Sequence, residues 1–196
     1  MSRNIFQSLL KFLHFASNDI VGAVPNRLQK LQPFLDLLLQ KFKDVYTPDS
    51  LLVVDETMIP FSGCFLFQQY IPGKSHKYGC KLFKLCTPDA YTWNLSIYVI
   101  KSATFENLAA SETVVVQLCQ PLLGMGRTIF ADNYYSSISL SEYLLKKETY
   151  YCGTLRANRK STPKQVTQAK LKTGDVIHDR AQTELKFIIG RISAMY

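Results

Sequence analysis

Leu51-Leu52-Val53-Val54-Asp55-Glu56-Thr57-Met58-Ile59-Pro60-Phe61-Ser62-Gly63, residues 51–63, decides how the rest of this chain is read. Four consecutive apolar residues suit a short strand buried on both faces, the kind found in parallel and mixed sheets. The run ends at Asp55-Glu56. A second segment repeats the design: Arg127-Thr128-Ile129-Phe130-Ala131 is short, mostly apolar, and ends at Asp132. Both aspartates are therefore expected at the C-terminal ends of buried strands, where ligands gather in open α/β sheets.

The flanking sequence supports such a sheet. Tyr70 to Cys86 alternates basic and apolar residues around Gly73 and Gly79, which predicts a hairpin, and Tyr91 to Ile100 is aromatic and β-branched, which predicts a third strand. Ser111 to Leu123 reads as a helix closed by Gly124, Leu140 to Lys147 as a short helix, and Tyr150 to Leu155 as a strand. Helices between the later strands imply parallel crossovers, hence a mixed α/β sheet with helices packed on it.

Before residue 47 the pattern is helical. Ile5, Leu9, Leu10, Phe12 and Leu13 recur at helical spacing over 2–16. A second helix is expected from an N-cap at Asn26 to Phe42, with a stripe of Leu28, Leu31, Leu35, Leu38, Leu39 and Phe42. Such a stripe becomes a partner-binding face if nothing in the fold covers it. The expected division is a helical segment over 1–46, the α/β core over 47–160, and a basic extension over 161–196. Pro163 argues against a continuous strand there, and Asp175 and Asp179 read as turn and loop residues.

Composition narrows the class of partner. The 196 residues carry 23 Lys plus Arg against 15 Asp plus Glu, a formal charge of +8. From residue 149 onward there are 9 basic and 3 acidic residues, so +6 of the +8 lies in the last quarter. A basic surplus favours acidic partners such as nucleic acid. Five cysteines occur without a C-x-x-C pair, and His14, His76 and His178 have no ligand at zinc spacing, so free thiols are expected rather than a zinc site or disulfides. No run approaches the roughly 18–20 apolar residues that span a bilayer. A soluble intracellular protein is the expectation.

Two carboxylates brought together at strand ends repel one another unless a cation lies between them. Mg²⁺ or Mn²⁺, preferring oxygen ligands, resolves that repulsion and supports in-line phosphoryl displacement in two-metal sites. A purely structural reading is also available, because Asp after a strand commonly caps a turn, and Asp132-Asn133 ahead of Ser136-Ser137 fits that role. Glu56, on the opposite face of the strand from Asp55, is expected to bond locally. Lys74, Lys77, Lys81 and Lys84 in the hairpin, and Arg156, Arg159, Lys160 and Lys164 after the last core strand, are candidate phosphate contacts. His76 reads as a surface residue, Trp93, Tyr91 and Tyr98 as sheet packing, and the cysteines as buried apolar groups.

These blocks carry a family resemblance. Asp55 to Gly63, Tyr70-Ile71-Pro72-Gly73-Lys74 and Lys77-Tyr78-Gly79-Cys80-Lys81 resemble the core of piggyBac transposases and their domesticated derivatives. Asp132-Asn133-Tyr134-Tyr135-Ser136-Ser137, Gly153-Thr154-Leu155-Arg156 and Asn158-Arg159-Lys160 resemble the family's following blocks. The match runs in order over about residues 1–186. It implies a ribonuclease H-like fold, with Asp55 and Asp132 as the first two members of a metal-binding acidic triad. It also implies cleavage and joining of transposon-end DNA at TTAA targets, a nuclear location, and homodimers among full-length members. No acidic residue follows Glu184. Set beside the family, the chain is therefore expected to be a fragment, ending before the third carboxylate and inactive alone. The alternative is a domesticated, non-catalytic DNA- or protein-binding module.

Overall fold

The computed structural model describes residues 1–16, 27–61, 63, 67–73, 76–99, 105, 108–164, 168–170, 176–180 and 186–190. Strand β1 (Leu51–Pro60) is the hub of the sheet. On one side it pairs in parallel with β5 (Thr128–Ala131), and on the other antiparallel with β3 (Tyr78–Cys86). Beyond β5 lies β6 (Tyr150–Gly153), again parallel. The outer edge of β3 is shared by β2 (Gln69–Tyr70) at its start and β4 (Thr92–Ile97) towards its end. This is the mixed sheet expected from the sequence.

Several elements differ from the sequence reading. The strand expected over Leu51–Val54 runs on to Pro60, because β3 keeps pairing with it from Val53 to Pro60 after the parallel partner has stopped at Val54. Asp55 thus ends the parallel ladder, not the strand. Helix α1 is confined to Arg3–Lys11, and α2 occupies Gln32–Val45. Asn26 lies outside the described residues, and Pro33 in the first turn explains the later start, since proline's missing N–H and fixed φ suit a helix opening. Finally, β7 (Val176–Arg180) and β8 (Lys186–Gly190) pair in a separate antiparallel sheet within the extension read as polar loop. Asp179 is a strand residue opposite Phe187, not a loop residue; Asp175 lies outside the described residues.

Pleat alternation separates a core face from a working face. Leu52, Val54, Leu85 and Ile129 are buried on the first, where α3 (Ala110–Cys119) contributes Val115, Leu118 and Cys119, and α4 (Ile138–Lys146) contributes Leu140 and Leu144. Asp55, one residue after Val54, turns the other way and is exposed. Ends of helices are tied to the sheet by side chains. Tyr91 donates to the Phe42 carbonyl (2.8 Å) and Trp93 Nε1 to the Tyr46 carbonyl (3.0 Å), holding the end of α2 over β4. Trp93 is buried, so its packing role stands. Helix α1 buries no residue, and Phe34 and Leu37 of α2 remain exposed.

Asn94 makes the matching tie for α3. Its Nδ2 donates to the Leu118 carbonyl (2.9 Å), one of the acceptors that a helix leaves unbonded at its C-terminal end, and its Oδ1 accepts from Leu95 N (3.0 Å). Asn94→Ala strands that buried carbonyl, and urea unfolding is expected to register a loss of about 1–3 kcal/mol.

Candidate active site

The parallel register decides the site. Val54 lies beside Ala131, so Asp55 and Asp132 are the next residues on adjacent strands, with backbones about 5 Å apart by the usual strand spacing. Both are exposed. Asp55 Oδ1 accepts from Glu56 N (2.7 Å), and Asp132 Oδ1 accepts from Tyr134 N (3.0 Å). Each second carboxylate oxygen accepts no hydrogen bond among the described residues.

Asp132 also plays the turn-forming role that its sequence allows. Its carbonyl accepts from Tyr135 N, Ser136 N and Ser136 Oγ, coiling residues 132–136 into a tight turn. The helix cap itself is Ser137, whose Oγ accepts from Leu140 N (3.0 Å). The turn uses the Asp132 carbonyl and one carboxylate oxygen, and leaves the exposed second oxygen available for a ligand.

The turn is locked from three sides. Tyr135 is buried against Phe83 and Tyr134, with ring centroids 6.1 and 5.0 Å away. Ser136 Oγ lies 2.7 Å from the Tyr151 hydroxyl on β6. Gly153 makes this possible, because a side-chain carbon there would lie 2.5 Å from Ser136 Oγ and 2.7 Å from the Ala131 carbonyl. From outside, Arg156 Nε and Nη2 both donate to Asn133 Oδ1 (3.1 and 2.9 Å), and Arg159 Nη2 donates to the Tyr134 carbonyl (2.8 Å).

Glu56 bonds locally, as expected, through a 2.5 Å ion pair with Lys81. The same ammonium lies 4.6 Å from the Tyr134 ring centroid and 4.9 Å from that of Phe83, and the Lys81 side chain is only 12% exposed. Of the other basic candidates, Lys77, Arg156 and Lys160 are exposed and Arg159 is half-buried. Lys74 lies outside the described residues. His76 is exposed, as read. The described cysteines divide: Cys119 is buried, Cys80 and Cys86 half-buried, and Cys152 exposed, contrary to the expectation that they pack as apolar groups; Cys64 lies outside the described residues. Its place within β6, the short strand at the edge of the sheet, accounts for the exposure of Cys152.

Hard, exposed oxygen donors side by side where the parallel ladder ends fit a divalent cation such as Mg²⁺ or Mn²⁺. The fit is of two ligands, since no group of three or more His, Cys, Asp or Glu able to hold a metal occurs among the described residues. Tyr135 and Tyr151 are the residues that sequence reading missed. Tyr135 stands beside Tyr134 in the Asp132 block and Tyr151 in the strand after it, but only packing shows that both hold the Asp132 turn. The Tyr135 hydroxyl finds no hydrogen-bond partner among the described residues, and burial, then the charges of Glu56, Asp132 and Asp55, push its pKa well up. Burial also raises Tyr151 to about 12, partly offset by Ser136 and reinforced by Asp132.

The profile of the family described as Transposase IS4 matches residues 1–191. Human PiggyBac transposable element-derived protein 5 is 25% identical over 173 residues, covering 81% of this chain and 32% of that protein. Human PiggyBac transposable element-derived protein 3 is 25% identical over 162 residues, covering 80% and 27%. The chain thus spans about a third of these relatives' length. Among solved structures, a chain from a piggyBac transposase synaptic complex with hairpin DNA superposes with a TM-score of 0.89 at 26% identity. That likeness covers 98% of this chain and 41% of the solved one, and the core is ribonuclease H-like. No described helix is long and apolar enough to cross a membrane.

A raised phenol pKa has a definite sign in stability. The Tyr151 contribution is complete below the ordinary value of 10 and is lost as pH rises towards about 12. Urea unfolding across that interval is expected to show a declining midpoint, and Tyr151→Phe to flatten the decline.

Proposed function

The chain belongs to the Transposase IS4 family, and from that premise we propose that it is a piggyBac-type transposase core whose Asp55 and Asp132 bind Mg²⁺ or Mn²⁺. The observation carrying this reading is the in-register exit of both carboxylates from the parallel pair β1 and β5. When bound, the ion supplies Lewis-acid stabilisation of phosphoryl-transfer oxygens. The protein's own part is positional. Parallel pairing sets the spacing of the two carboxylates, and the Tyr135, Ser136 and Tyr151 packing holds the turn at Asp132.

DNA is the proposed partner, taken as transposon ends with TTAA targets on the family resemblance, and the proposed location is the nucleus. Lys77, Arg156, Arg159 and Lys160, with Lys74, supply phosphate contacts, while Lys81 mainly neutralises Glu56 under the Asp132 turn. The two carboxylates brought together among the described residues make only part of a two-metal centre, and on that ground strand cleavage by the 196-residue polypeptide is not expected. Homodimers belong to the same proposal at the level of the full-length relatives.

Calorimetry with Mn²⁺ and salt-dependent DNA binding test the reading together. Mn²⁺ binding abolished by Asp55→Ala or Asp132→Ala is the expected result. DNA affinity is expected to fall steeply between roughly 50 and 200 mM salt. Mn²⁺-dependent nicking that disappears in Asp55→Ala would overturn the inactivity. DNA binding with no Mn²⁺ uptake would favour the non-catalytic binding module.

A further inference from the structure

At the far end of the β2–β3 hairpin, two large rings face water. Tyr70 and Tyr78 are register partners, with centroids 4.9 Å apart, planes 42° apart, and each residue 56% exposed. We propose that this ring pair is a stacking platform for an unpaired nucleobase at a DNA end, an inference that rests on the DNA-binding reading above.

A cross-strand aromatic pair by itself steadies a hairpin, by a fraction of a kcal/mol to about 1 kcal/mol. Three observations extend its role. First, the apolar surface continues onto β1. Phe61 and Ile59 are half-exposed, and Phe61 N donates to the Tyr78 carbonyl (3.3 Å), which sets Phe61 opposite Tyr78. Second, the setting is cationic. Lys77, next to Tyr78 in sequence, stands exposed with His76 on the loop closed by Ile71 N donating to the Lys77 carbonyl (2.8 Å), and no Asp or Glu occurs from Thr57 to Pro88 to offset it. Exposed aromatic faces bordered by cations are the combination that holds single-stranded nucleic acid, the base stacking while the backbone phosphate is neutralised. An apolar protein partner gives no reason for that charge. Third, the platform shares a face with the acidic site. Asp55, Thr57, Ile59 and Phe61 alternate onto one side of β1, and Tyr78 lies on the matching side of β3. Six strand steps put the rings about 20 Å from Asp55.

The footing of the platform is firm. A side-chain carbon at Gly79 would lie 2.1 Å from the Ile59 carbonyl oxygen, so β1 and β3 approach here as only glycine permits. The base must be unpaired, because a base inside a duplex is already stacked on both faces.

The test uses the 196-residue protein and a DNA duplex with a short single-stranded overhang containing 2-aminopurine. Stacking on tyrosine is expected to quench that fluorescence on binding. Tyr70→Leu and Tyr78→Leu, which keep apolar bulk but remove the π-face, are expected to abolish the quench and weaken overhang binding about tenfold. Blunt-duplex affinity is expected to stay unchanged, and Tyr70→Phe and Tyr78→Phe to retain the quench. Binding of the overhang without quenching, or quenching unaltered in the leucine variants, would overturn the platform while leaving DNA binding intact. Failure to bind either DNA would overturn both readings. Circular dichroism melts of each variant separate a lost platform from a lost hairpin, and a variant that melts early hands the decision to wild-type quenching and its phenylalanine counterparts.

Discussion

The six-stranded sheet and the acidic pair depend on strand β1, which is paired on both edges with partners of opposite direction. The parallel partner stops after four residues, and the antiparallel partner carries on to Pro60. That mismatch in length does two things. It brings Asp55 and Asp132 out side by side at the end of the parallel ladder, and it keeps Asp55 on an ordered strand instead of a loop. A carboxylate on a paired strand has little backbone freedom to lose when it takes up a ligand, which is the physical content of preorganisation.

The turn at Asp132 has the opposite character. Its geometry is made by backbone hydrogen bonds to one carbonyl and then fixed by contributions from β3, β6 and the segment after β6. The Glu56–Lys81 ion pair, roofed by Tyr134, sits on the core face just beyond the last buried aliphatic residues. It lets a charged residue directly follow Asp55 without adding a third free negative charge to the site.

Most of the core was legible because its strands are short apolar runs and its helices show a 3.6-residue period. Leu51–Val54 and Thr128–Ala131 announce themselves this way, and so do the aspartates that follow them. The second half of β1 was hidden, since Asp55-Glu56-Thr57 breaks the apolar run, and only pairing with β3 makes it strand. Strands β7 and β8 escaped notice because the surrounding composition is polar, and hairpin pairing depends on partners rather than on local pattern. The roles of Lys81, Arg156 and Arg159 were open for a different reason. Charge in a sequence marks a phosphate contact and an internal clamp identically, and only the structure shows that Lys81, Arg156 and Arg159 bond within the protein.

Arg156 shows what that ambiguity means mechanically. Two of its N–H groups converge on the single amide oxygen of Asn133, the residue next to Asp132. An anion that draws the guanidinium away breaks both bonds at once, while a substitute lysine has no second fixed N–H to make them. The basic segment after β6 is therefore not a passive patch beside the acidic pair. Through Arg156 and Arg159 it is a strut, one end of which rests on Asn133 and Tyr134, within the turn that starts at Asp132.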